Sequence, residues 1–139
     1  NKVYFICVLI YEINVKTFIE DSGYVNLNVE FTYQLKKLFN LPSFPVIPAA
    51  NTVTKIRAGY FFGDVDATKA LKETKLPALV LHGEEDGFVP LEHGKAAYNL
   101  ITSEKEFHSF PGMKHVQAER KFREQYWNIV GEFLKKHFE

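Results

Sequence analysis

The segment that most limits the folds open to this chain is Pro77–Gly83, where Ala78-Leu79-Val80-Leu81 runs unbroken and apolar between a proline and a glycine. A strand with one wet face alternates apolar and polar residues. A short continuous run fits instead a strand covered on both faces, as in the middle of a parallel sheet. Parallel neighbours must be reached through crossovers, usually helical, and the sequence on either side supplies both. Val15–Ile19 is a short β-rich run that ends in the polar stop Glu20-Asp21-Ser22-Gly23, with Ser22 placed to cap a helix. Lys105–Phe110 alternates as a strand should and is stopped by Pro111-Gly112.

Helical periodicity fills the intervals. From about Val25 to Phe39 the apolar residues Leu27, Phe31, Leu35, Leu38 and Phe39 recur at three- and four-residue steps, and Lys36 and Lys37 sit where the helix dipole favours cations. Pro42, Pro45 and Pro48 then break the chain, and Pro48 is placed to open a second short helix to about Ile56. Gly59 and Gly63 flank Tyr60-Phe61-Phe62, an irregular connection. Further helices are expected over Asp66–Thr74 and from Pro90 to Ile101. A long amphipathic helix is expected over Gln117–Phe138, marked by Ala118, Phe122, Tyr126, Ile129, Val130, Phe133 and Leu134. The order strand, helices, strand, helix, strand, helix predicts an α/β fold with a parallel sheet. Such a sheet gathers its strand C-termini along one edge, where exit loops carry the chemistry.

Composition narrows the classes of function. Hydrophobic residues make up 46% of the chain, enough for a real core, and 17 basic residues balance 17 acidic ones. That balance leaves no electrostatic footprint for nucleic acid or an anionic membrane. A single cysteine, Cys7, excludes an internal disulfide framework. Asn1 is not an initiator residue, and the apolar run Val3–Ile10 reads as a buried strand. It is much shorter than the roughly 20 residues of a membrane span and lacks the basic flank and cleavage site of a signal peptide. A cytoplasmic location is the expectation, and residues 1–12 are left without a place in the fold.

Two strand exits hold the reactive side chains. His82-Gly83-Glu84-Glu85-Asp86-Gly87-Phe88-Val89-Pro90 follows the buried strand, and Gly112-Met113-Lys114-His115 follows the last one. An imidazole base needs its second ring nitrogen held by a carboxylate, which fixes the tautomer and supports the imidazolium. An acid in one exit loop and a histidine in the next would meet that need. Asp86 also has an ordinary reading as half of an Asp-Gly turn, His115 as a surface or capping residue, and Glu84 and Glu85 compete for the acid's role. His82 reads as a hydrogen-bonding residue at a strand end, and His93, His108 and His137 as surface residues. A metal set drawn from His82, Glu84, Asp86 and His93 matches no recognised ligand spacing.

These two segments resemble the H-G-x-x-D-x-x-V-P and G-x-x-H segments of α/β-hydrolases, in particular bacterial prolyl-oligopeptidase-like and serine-aminopeptidase-like members, esterases among them. Phe18-Ile19-Glu20-Asp21-Ser22-Gly23-Tyr24 is similar to their sixth-strand exit, and Leu41–Phe62 to their helical cap. The resemblance covers Val15 to the C-terminus. It implies one partial domain, the C-terminal half of an α/β-hydrolase fold, with a cap-like insertion over about residues 24–63. It implies Asp86 as the acid and His115 as the base of a Ser-Asp-His triad, in that chain order. The substrate would be a small-molecule carboxylic ester or a peptide-like acyl compound, and no cofactor or metal is implied.

The serine of that triad is not in this sequence. A nucleophile elbow reads G-x-S-x-G between a strand and a helix, and Ser22, Ser43, Ser103 and Ser109 are the only serines, none in such a setting. Cys7 has no turn around it to serve instead. The chain by itself is therefore expected not to turn over esters. Two other readings stay open: a non-catalytic truncated remnant or half-fold that associates with another chain, or forms a homo-oligomer, through an open sheet edge, and a small flavodoxin-like binding module. The last has no Gly-rich phosphate loop at any strand exit.

Overall fold

A computed structural model describes residues 15–138. The apolar run Val3–Ile10 and Cys7 lie outside the described residues. Three strands, β1 (Phe18–Asp21), β2 (Ala78–Gly83) and β3 (Lys105–Phe110), form a parallel sheet in the order β1-β2-β3. Between β1 and β2 the chain makes a helical excursion through α1 (Leu27–Phe39), α2 (Ser43–Ala58), a 3-10 turn (Phe62–Asp64) and α3 (Thr68–Glu73). One helix, α4 (Leu91–Leu100), joins β2 to β3, and α5 (Ala118–Lys121) and α6 (Arg123–Phe138) follow β3.

The middle strand is buried along its whole length, as its composition requires. Leu79 and Leu81 point to one face and join Phe110, Met113, Ala118, Tyr126, Val130 and Phe133 beneath α6. Ala78 and Val80 point to the other and pack with Phe18, Ala67, Leu71, Ala97 and Ile101 beneath α3 and α4. Period-two alternation thus serves two cores at once. That is why the run contains no polar break.

The long C-terminal helix expected from Gln117 is two helices. Phe122 leaves helical geometry at φ −116°, ψ 43°, and α6 restarts at Arg123. Ser22 is not a helix cap: it lies in a left-handed turn at φ 56° and its hydroxyl donates to Asp21. The cap of α1 is Asn26, whose side-chain oxygen accepts from the Val29 amide at 3.1 Å. The turn at Ser22 is held by the strand exit, which sets the helix start several residues later. Pro48 lies inside α2 rather than opening it, since the helix begins near the Phe44–Pro45 kink. His137, read as a surface residue, has a side chain only 7% exposed, and its ring packs on Phe133 with centroids 4.6 Å apart. Among the described residues no helix is long and apolar enough to cross a membrane.

Candidate active site

Parallel pairing in register puts the C-terminal ends of β2 and β3 side by side, Gly83 opposite Phe110. The two exit loops are then stitched together by backbone. The Glu84 amide donates to the Phe110 carbonyl at 3.1 Å and the Glu85 amide to the Met113 carbonyl at 2.9 Å. The approach is close enough that a β-carbon on Gly83 would stand 2.4 Å from the Met113 oxygen. Glycine here is a requirement of the contact between loops.

This stitching brings Asp86 to His115. Asp86 Oδ2 accepts from His115 Nδ1 at 2.8 Å, while Oδ1 accepts from the amides of Phe88 at 2.8 Å and Val89 at 2.9 Å. The carboxylate is buried, with three donors converging on its oxygens, so its direction is over-determined. A carboxylate accepts, so in the neutral ring this contact selects the tautomer with its proton on Nδ1 and leaves Nε2 as the acceptor. The His115 side chain is 37% exposed, and Phe88 lies against the ring with centroids 4.9 Å apart. Val116, next in the chain, sits at φ 50°, a conformation that a β-branched residue adopts only under constraint.

The other candidates have different places. Glu84 is exposed and accepts from the Ser109 hydroxyl at 2.7 Å, and Glu85 is exposed. His82 is fully buried, with Nε2 at 2.9 Å from the Val89 carbonyl. A carbonyl only accepts, so Nε2 holds the proton and the ring is a strap on the far end of the acid loop. Its Nδ1 lies over Gly94, where a β-carbon would come within 2.4 Å. No group of three or more His, Cys, Asp or Glu side chains is placed to hold a metal among the described residues. The Ser22, Ser103 and Ser109 hydroxyls donate to Asp21, to the Leu76 carbonyl and to Glu84.

Two buried acids escaped the sequence reading. Glu20 belongs to β1 rather than to the polar stop after it, shares the buried face with Phe18, and is 3% exposed. Burial pushes its carboxyl up to about 8, against the pull of the Gly23 amide that donates to it; neighbouring Asp21 adds to the rise. Glu30 on α1 is also buried and faces His93 Nδ1 at 3.2 Å, so His93 is an interior partner rather than a surface residue. The signal for Glu30 was its phase, one turn on from the buried Leu27. At the β1 exit, Tyr126 donates its hydroxyl to Asp21 at 2.9 Å, and desolvation with that carboxylate holds the phenol above its ordinary range.

A parallel sheet covered on both faces, with its chemistry-bearing loops at adjacent strand exits, is the architecture of the α/β-hydrolase class. Residues 63–138 match the phospholipase/carboxylesterase family, and the chain belongs to it. The fold is shared with the Pyrococcus furiosus esterase Pf2001, at a TM-score of 0.67 and 20% identity over 99% of this chain and 51% of the esterase. It is shared too with an acylaminoacyl peptidase of Pyrococcus horikoshii, at a TM-score of 0.69 and 18% identity over 94% of this chain and 21% of the peptidase. In sequence, the uncharacterized protein YqkD of Bacillus subtilis is 26% identical over 117 residues, 84% of this chain and 38% of YqkD. The bifunctional esterase/perhydrolase DCH of Acinetobacter calcoaceticus is 44% identical over 55 residues, 39% of this chain and 20% of DCH. The chain spans well under half the length of these two curated relatives and about half that of the Pyrococcus furiosus esterase.

Proposed function

We propose that Asp86 and His115 are the acid and base of a serine hydrolase acting on carboxylic esters or peptide-like acyl bonds. The observation that carries this is the 2.8 Å contact from His115 Nδ1 to a carboxylate already fixed by two backbone amides. That geometry leaves Nε2 as the base, free to take a proton from a hydroxyl nucleophile, and lets Asp86 support the resulting imidazolium. The nucleophile and the oxyanion donors would come from residues upstream of this sequence. The excursion around Phe44–Phe62 would cover an apolar acyl pocket in the completed domain. Further strands of a complete domain, or a second copy of the chain, would pair along the outer edges of β1 and β3.

Hydrolysis of p-nitrophenyl acyl esters tests this reading. The chain as it stands is expected to give no turnover. Protein expressed from a transcript carrying an in-frame G-x-S-x-G upstream is expected to turn over, and His115→Ala to lower kcat by roughly 10⁴-fold or more. Turnover by the present chain that disappears in His115→Ala would refute the missing nucleophile. Turnover by the longer protein that is indifferent to His115→Ala would refute the role of the base.

A further inference from the structure

Glu30, Gln34 and Lys37 fall on one stripe of α1. A stripe that holds a helix against its neighbours is ordinarily apolar. This one is polar, and each member reaches the acid loop or the helix that follows it. Gln34 Nε2 donates to Glu30 Oε1 at 2.8 Å and to the Phe88 carbonyl. Lys37 Nζ donates to the Gly87 carbonyl. The second Glu30 oxygen faces His93 in the first turn of α4 at 3.2 Å. The stripe therefore grips the two carbonyls immediately after Asp86 and lies against His93 at the far end of the same loop.

Phe88 is where these contacts converge. Its amide donates to Asp86, its carbonyl accepts from Gln34, and its ring packs on His115. Any shift of that one residue moves a donor of the acid and the wall beside the base together. Glu30 in turn fixes which way the Gln34 amide points, because its oxygen accepts from the same nitrogen that reaches Phe88.

We propose that Gln34, oriented by Glu30, and Lys37 are positioning residues for the Asp86–His115 pair, so that the helical excursion sets the geometry of the acid and base. The proposal rests on the catalytic reading of that pair. It is tested without turnover, through the tautomer of neutral His115. Free imidazole in water favours the proton on Nε2, whereas an aligned Asp86 holds it on Nδ1. Long-range proton–nitrogen spectra of the chain in alkaline buffer, with the signal assigned by His115→Gln, report which nitrogen is protonated.

The unsubstituted chain is expected to show Nδ1 protonated. The pair Gln34→Leu with Lys37→Met is expected to give a mixture shifted toward Nε2, with the circular dichroism spectrum unchanged. Gln34→Lys keeps a donor within reach of both Glu30 and Phe88, and is expected to retain the Nδ1 form. Lys37→Met alone alters an exposed side chain and is expected to show a smaller shift, which keeps the test open if the double variant fails to fold. An Nδ1 tautomer indifferent to these substitutions would overturn the positioning role while leaving the pair intact. An Nε2 tautomer in the unsubstituted chain would remove the pair itself, and the proposal with it.

Discussion

The sheet and the helical excursion obey different rules of burial. In the sheet, Ala78, Leu79, Val80 and Leu81 have no accessible surface, and helices pack on both faces. In the excursion, α2 has no buried residue at all, and Leu38, Phe39, Phe44 and Ile56 are 64%, 66%, 75% and 79% exposed. Of the apolar stripe read along α1, only Leu27 is buried. Phe31 meets Phe62 edge-on at 4.8 Å, Leu38 and Phe39 face outward, and the side turned to the acid loop is the polar one. Hydrophobic periodicity locates a helix, but it does not say which face a neighbour will cover. The sheet is held by burial on both faces, whereas in the excursion apolar burial is confined to Leu27, Phe62, Ala67 and Leu71. The rest of α1 and α2 rests on caps, a few ring contacts and a polar grip on the Asp86 loop.

That contrast breaks most readily at Phe133, 1% exposed beneath the sheet. Phe133→Ala is expected to destabilise the chain by about 3–5 kcal/mol through lost burial and a residual cavity. Ile56→Ala, in the excursion, is expected to stay within about 0.5 kcal/mol. Urea unfolding of both variants measures the gap. Equal losses would mean that α2 is packed far more tightly than its exposure indicates.

The sheet also contains its own exception, Glu20, whose carboxyl is raised from 4.5 to about 8 by burial. The folded chain therefore holds a proton that the unfolded chain releases near 4.5. The stability this contributes is fully present below 4.5 and is lost as pH rises through about 8. The loss is expected to be on the order of a few kcal/mol. Glu20→Gln keeps the shape without the proton, so it is expected to flatten this pH dependence and raise the melting temperature in alkaline buffer. Parallel pH profiles for the two proteins would show a Glu20 that ionises freely.

A smaller loss than at Phe133 or Glu20 is expected at the start of the excursion. Asn26 caps α1 and its amide nitrogen also donates to Asp66 at 2.6 Å. Asn26→Ala is expected to cost about 1 kcal/mol. Amide hydrogen exchange should show the loss as faster opening of α1 with little change in β2. Uniform acceleration across the sheet would instead mean that the two regions open as one unit.

The sequence by itself determined the sheet. A strand buried on both faces has to be apolar at every position, and Ala78–Leu81 could be read without knowing what covers it. The strand stops marked the two exit loops, the resemblance to α/β-hydrolases chose Asp86 over Glu84 and Glu85 and pointed to His115, and the structure brings the two together. Tertiary structure alone decided the rest: that Phe122 divides the last helix, that Glu20 is buried, that Glu30 meets His93, and that α1 turns its polar stripe to the acid loop. These features depend on which surfaces meet across long stretches of chain. A carboxylate looks the same in sequence whether water or a distant histidine will face it.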